Sequence, residues 1–277
     1  MDYLPQHLSL GEHQYAVIDR LRVSELPVSW PLIELVSPML MPQAHLYPWL
    51  LPLHELPSGE WQSLMKDLAV DVKGILAPEC ILLLSSSYSV QEVHSALVSA
   101  LYYQDETGTG RILRYYDSRV LFHLQWMLTP SQITNYLPVK KIPLWTLWLE
   151  GKWQTLNFAS EQTACVNGGN SRLPMSQLQR CGQINDVLAQ LPAEENMSTR
   201  QSISRKIDFL LVQAIECQLS TREDQNAFAL HGLNLPDKFW LAPKMKIFLE
   251  KARQAPEYFL DETSSWNERV WLDMICT

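Results

Sequence analysis

Ile81-Leu82-Leu83-Leu84 is a continuous apolar run that stops at Ser85-Ser86-Ser87, and Ser89-Val90-Gln91-Glu92 comes almost at once after it. A strand with an apolar side chain at every position has no face to offer water, so it needs cover on both sides. Ser89 and Glu92 have the spacing of a capping box, in which two otherwise unpaired amides at a helix start are satisfied by side chains. Val90, Val93, Leu97 and Leu101 continue at helical spacing. A buried strand, a short polar turn and an amphipathic helix therefore form the fixed point around which the first half of the chain is arranged.

Around it, strand and helix signals alternate. Tyr15-Ala16-Val17-Ile18 is β-prone, and Pro27, Pro31 and Pro38 limit the next stretch of chain to short elements. After Leu46–Leu53, Ser58 is placed to cap a helix from about Glu60 to Val72, with Trp61, Leu64, Leu68 and Val72 on one face. Asp105 to Gly110 reads as a turn, leading into a strand over Arg111 to Tyr116. Asp117 then occupies an N-cap position ahead of Val120, Leu121, Leu124 and Leu128, and Thr129-Pro130 gives a second helix start. Leu144 to Leu149, Glu150-Gly151-Lys152 and Trp153 to Phe158 read as a hairpin.

Beyond Asn167-Gly168-Gly169-Asn170 the pattern becomes helical almost to the end. Ser198 and Gln201 form a capping-box candidate before Ile203, Ile207, Leu210, Leu211 and Ile215. Gly232 and Pro236 close one helical segment and Phe239 to Lys251 begins another. The expected fold is α+β: an α/β lobe over residues 1–165, in which helices flank a sheet, and a mainly helical lobe over residues 166–277.

The charge balance bears on partners. A net charge of -8 with only one adjacent lysine pair, Lys140-Lys141, argues against nucleic acid, which needs a clustered basic surface. The first residues lack a basic start followed by an apolar run, and LYPWLLPLHELP is broken by three prolines, so neither a signal peptide nor a membrane span is expected. Cys80, Cys165, Cys181, Cys217 and Cys276 are scattered and odd in number, which fits free thiols in a reducing compartment; neither a metal nor a cofactor is expected. The chain reads as cytoplasmic.

Candidate chemistry is sparse. Ser85-Ser86-Ser87 lacks the glycines of a nucleophile elbow, and Gly108-Thr109-Gly110 lacks the spacing of a phosphate loop and precedes a strand where such loops precede a helix. His123 sits among Val120, Leu121 and Leu124, in a packing position. The charged cluster is Arg114-Tyr115-Tyr116-Asp117-Ser118-Arg119, which reads first as a structural motif of Arg114, Tyr116, Asp117 and Arg119, because an unpaired buried guanidinium is prohibitively costly. Trp145, Trp148 and Trp153 crowd onto one hairpin and are the candidate partner-binding anchors, tryptophan being enriched at interface hot spots.

The ordered set of segments resembles the adaptor-chaperone family of bacterial type VI secretion systems. That family carries an arginine-aromatic-tyrosine-aspartate-proline-arginine-valine-leucine run, matched here by Arg114 to Leu121 with Ser118 in place of the proline. Leu128-Thr129-Pro130-Ser131-Gln132 and the tryptophan hairpin come next in the family's order, and Leu46-Tyr47-Pro48-Trp49-Leu50-Leu51-Pro52-Leu53 resembles its aromatic-leucine-leucine segment before the first long helix. The resemblance covers roughly residues 13 to 160. It implies a non-enzymatic protein that binds one toxic effector and loads it onto the secretion spike protein. Two rivals stay open: a hydrolase using a serine or an aspartate with a histidine, and a structural subunit of a larger assembly.

Overall fold

The apolar runs of the first half pair with one another. The structure, a computed structural model, describes residues 2–23, 25–69, 76–105, 107–159 and 172–275. Strands β1 (Asp2–Tyr3), β2 (Tyr15–Ile18), β3 (Ile33–Glu34), β4 (Trp49–Pro52) and β5 (Ile81–Ser85) precede the small hairpin β6 (Tyr102–Gln104) and β7 (Gly110–Ile112); β8 (Leu144–Leu149) and β9 (Lys152–Asn157) come last. Seven of them form one antiparallel sheet in the order β1-β9-β8-β5-β2-β4-β3, while β6 and β7 pair separately. The buried run Ile81–Leu84 thus takes the central position, between β2 and β8.

Helices cover both faces, as the two-sided burial of β5 requires. On one face Ile81 and Leu83 join Ala16, Ile18, Leu51 and Trp153 in a core closed by Leu64 and Leu68 of α1 (Ser58–Ala69). Toward the other face, α2 (Val90–Leu101) buries Val93, Leu97 and Leu101, and α3 (Ser118–Met127) buries Leu121, Phe122 and Leu124. The capping box of α2 forms as the sequence predicts: the Ser89 amide donates to Glu92 Oε2 at 3.1 Å. Helix α4 (Pro130–Tyr136) starts at Thr129-Pro130, where Gln132 closes a further box with Thr129. Ser58 lies within α1 and does not precede it, and Val72 falls outside the described residues.

The expected strand Arg111–Tyr116 ends at Ile112. Leu113 still donates to the Leu101 carbonyl in register with β6, but Tyr115 then donates to the Leu113 carbonyl and Asp117 to that of Arg114, so the backbone turns back on itself where the alternation of Ile112, Arg114 and Tyr116 suggested an extended run. The hairpin β8–β9 forms as read, with Glu150 and Gly151 both at positive φ (52° and 73°), the conformation of a tight turn matched to strand twist.

The chain divides into two compact units, Met1–Leu178 and Gln179–Thr277. The expected boundary near residue 165, with Asn167-Gly168-Gly169-Asn170, lies outside the described residues. A short helix, α5 (Met175–Gln179), precedes a second unit whose described elements are helical: α6 (Cys181–Leu188), α7 (Met197–Glu216), α8 (Arg222–Gly232), α9 (Pro243–Ala252), α10 (Tyr258–Thr263) and α11 (Glu268–Ile275). Together with the first unit this gives the α+β fold expected from the sequence.

In α7 the cap is Asn196 and not Ser198, because the Asn196 side chain accepts from both Ser198 and Thr199 amides. Ile207, Leu210 and Leu211 are buried as predicted, but Ile215 is exposed. Gly232 is the last residue of α8, and a Cβ there would press into Leu210, so glycine allows α7 and α8 to approach closely. An aromatic cluster of Phe228, Phe239, Phe248, Phe259 and Trp266 fills this unit.

Candidate functional site

The charged cluster begins one residue past β2. Asp19 is almost fully buried; its amide donates to the Cys80 carbonyl and its carboxylate accepts from the Leu21 amide at 3.2 Å. Arg114 Nη2 donates to Asp19 Oδ2 at 2.9 Å, and the same guanidinium lies 5.5 Å from the Tyr116 ring centre, within cation–π range. Among the described residues the buried Nε of Arg114 has no hydrogen-bond partner. The turn before α3 is thereby fastened to the end of a central strand.

Asp117 does two jobs. Its Oδ1 accepts from the Arg119 amide at 3.0 Å, capping α3, while Arg119 Nε and Nη2 donate to the two carboxylate oxygens at 3.1 and 2.8 Å. Burial pushes the Asp117 carboxyl up, but the Arg119 hydrogen bonds and charge outweigh it and leave it below the ordinary carboxylate range. Burial also lowers Arg114, yet Tyr116, Asp19 and Asp117 more than restore its charge. The Tyr116 phenol is raised, chiefly by burial. Tyr115 donates to the Leu97 carbonyl at 2.9 Å, and complete burial drives its phenol far up. The arrangement holds charge in place: Asp117 stays an anion, Arg114 stays a cation, and both tyrosines stay protonated.

The hairpin tryptophans separate by face. Trp145 has no accessible surface; it donates to the Ile142 carbonyl at 2.7 Å and packs edge-on against Tyr115 and Phe158. Trp153 is also buried and donates to the Leu68 carbonyl at 3.0 Å, joining β9 to α1. Trp148 is half-buried and stacks edge-on with Trp153, 5.3 Å between ring centres. Of the three anchor candidates, Trp148 presents the most surface and Trp145 presents none.

The serine run is bound into the fold. Ser85 donates to the Gln14 side chain at 3.1 Å, and Ser86 donates to the Lys141 carbonyl at 2.7 Å while accepting from the Tyr88 amide. His123 is fully buried and accepts from Trp126 Nε1 at 3.3 Å. Cys80, Cys181 and Cys217 are free thiols, with burial pushing Cys217 up to about 11; Cys165 and Cys276 lie outside the described residues. Among the described residues no group of three or more His, Cys, Asp or Glu gathers as metal ligands do, and no helix is long and apolar enough to cross a membrane.

Among the buried polar groups that sequence reasoning missed are Asp19 and His13. Asp19, the partner of Arg114, was signalled only by a carboxylate directly after an apolar strand. His13 bonds Thr146 Oγ1 at 2.8 Å, Thr146 and Thr155 share a hydrogen bond of 2.7 Å, and Thr155 accepts from the Leu8 amide, a chain across strands that no local pattern announces.

Residues 35–135 match the profile of a family described as "Domain of unknown function (DUF4123)". The matched span holds the whole Arg114–Leu121 run and the Thr129-Pro130 helix start, and it ends before the tryptophan hairpin. No curated protein and no solved structure gives a significant match.

Proposed function

We propose that this chain is a non-enzymatic adaptor-chaperone, which binds one cognate toxic effector in the bacterial cytoplasm and passes it to the spike protein of a type VI secretion system. The observation that carries the reading is the Arg114-Tyr115-Tyr116-Asp117-Ser118-Arg119-Val120-Leu121 run. It has the order of residues seen in that adaptor family, it lies inside the matched span 35–135, and its charges pair within the fold. Ser118 in the proline position costs little, since both residues suit the first turn after an aspartate cap.

Composition supports the same reading. A charge of -8, a charged fraction of only 19% and ten tryptophans suit a protein that works by burying surface against another protein. In such interfaces a few aromatic anchors within a polar rim carry most of the energy. Of the hairpin residues Trp148 is the anchor left accessible, while Trp145 and Trp153 act from within, by fixing the strands that present it.

Co-expression with the product of the neighbouring gene, followed by purification through a tag on this chain, tests the proposal. An adaptor retains the neighbour through the column and raises its soluble yield. If the neighbour neither copurifies nor gains solubility, the reading fails.

A further inference from the structure

The only adjacent lysine pair of the sequence, Lys140-Lys141, borders a groove of about 450 Å³ in the first unit, within the roughly 300–1,000 Å³ range of clefts that take ligands. One wall is the end of α2 with Tyr102 and Tyr103 of β6; the other is the end of α4 and the loop to Lys141. Consecutive residues of a strand point to opposite faces, yet both tyrosines line this groove, so it meets β6 along its edge.

That edge has an open hydrogen-bonding side. Leu113 donates to the Leu101 carbonyl and Asp105 to the Thr109 carbonyl, which fixes Tyr103–Arg111 as the bonded pair between them. Tyr102 and Gln104 therefore turn their backbone N–H and C=O away from β7, and among the described residues β6 pairs with β7 alone. Gly110, opposite Gln104, leaves room for the Tyr102 ring, which a Cβ there would strike. The Tyr102 ring thus leans over β7 and leaves the outer edge of β6 clear.

Charge selects the occupant. The lining contains both lysines and no carboxylate, in a chain whose net charge is -8. Lys140 is exposed, while Lys141 Nζ lies 5.5 Å from the Tyr88 ring centre and also acts on the Glu92 carboxylate of α2, so Lys140 is the charge less engaged within the fold. We infer that this groove takes an extended segment of a partner protein, added as a strand to the edge of β6, with its acidic side chains against Lys140 and Lys141. Main-chain bonds to Tyr102 and Gln104 supply pairing, and the lysines supply selectivity for carboxylates. That the partner is the effector rests on the adaptor reading; the strand addition does not.

The test uses the full chain and a fluorescent, C-terminally amidated peptide of alternating Glu and Val, followed by anisotropy at low and high salt. Saturable, salt-sensitive binding is expected, with a loss of about tenfold or more in the K140E/K141E variant. Gln104→Pro, which removes an outward N–H and spares the bonds to β7, weakens binding comparably, as does N-methylation of alternate peptide amides, which needs no change to the protein. Absence of saturable binding overturns the inference, as does binding indifferent to both the lysine reversal and the methylation. Effector retention that is unchanged in the K140E/K141E variant, with peptide binding lost, overturns the effector as the occupant of this groove and leaves the adaptor reading standing; a wild-type chain that retains no effector while binding the peptide refutes only the adaptor reading.

Discussion

Arg114 and Asp19 lie 95 residues apart in sequence, and their side chains meet at 2.9 Å. The aspartate is nearly inaccessible while the arginine side chain is 41% exposed, so the bridge is asymmetric: one charge depends on the pair and the other has water as well. Removing the arginine leaves a buried carboxylate with the Leu21 amide and without its Arg114 counter-charge. Arg114→Ala should therefore lower unfolding stability by about 2 kcal/mol, the usual cost of stranding a buried polar group. Arg114→Lys, which keeps the charge and gives up the guanidinium's contact with the Tyr116 ring, should lose less. Urea unfolding of both variants measures this, and an unchanged midpoint for Arg114→Ala would show that the bridge is ornamental.

Asp117 separates capping from pairing. Asp117→Asn retains an N-cap for α3 but gives up the ion pair with Arg119, whereas Asp117→Ala loses both; the alanine variant should be the less stable by about 1 kcal/mol. The pH dependence carries a sign. The folded carboxyl lies below its ordinary value, so its stabilising contribution is complete above roughly pH 3.9 and declines as pH falls through the folded value. The acid limb of a stability profile should accordingly be shallower for Asp117→Asn than for the wild type. Equal slopes would count against the pairing.

His13 predicts a second pH effect, nearer neutrality. Burial lowers its pKa, opposed in part by the Leu10 and Ser9 carbonyls, and the folded ring stays neutral beside Thr146. The unfolded chain binds the extra proton first, so stability is full above roughly pH 6.5 and falls below it until the folded ring also protonates. His13→Gln should flatten the profile in that window. His231 in the second unit is lowered by burial too, so a residual slope should remain in the variant and decrease when His231 is also replaced.

Trp153→Phe removes an indole N–H that bonds the Leu68 carbonyl at 3.0 Å and keeps most of the apolar contact. A loss of about 1 kcal/mol is expected by thermal or urea unfolding. A larger loss, or failure to fold, would mean that β9 and α1 depend on this residue for more than the one bond.

How much of the fold was visible in the sequence depends on where the forces act. Ile81–Leu84 and the Ser89/Glu92 box were legible because burial on both faces and helix capping are written into adjacent residues, and the β8–β9 turn because Gly151 marks it. The turn at Arg114 was not, since Ile112, Arg114 and Tyr116 alternate as a strand would, and only the bonds from Tyr115 to the Leu113 carbonyl and from Asp117 to the Arg114 carbonyl show the reversal. The Arg114 cluster was read as structural for a local reason, the cost of an unpaired guanidinium, but its partner Asp19 lay far back in the chain. Trp145 and Trp153 looked like anchors because the hairpin carries aromatics on both faces; their burial comes from Tyr115, Phe158 and α1 arriving from elsewhere. Propensity reports what a residue tolerates next to its neighbours, and it is silent on what packs against it.

Deletion of this gene in the bacterium that carries it, with the neighbour-encoded effector and the spike protein tracked in both cells and medium, tests the adaptor claim most directly. The account predicts that the spike protein is still secreted while the effector is absent from the medium, and that the wild-type gene restores it. Secretion of the effector at the wild-type level without this chain would contradict it.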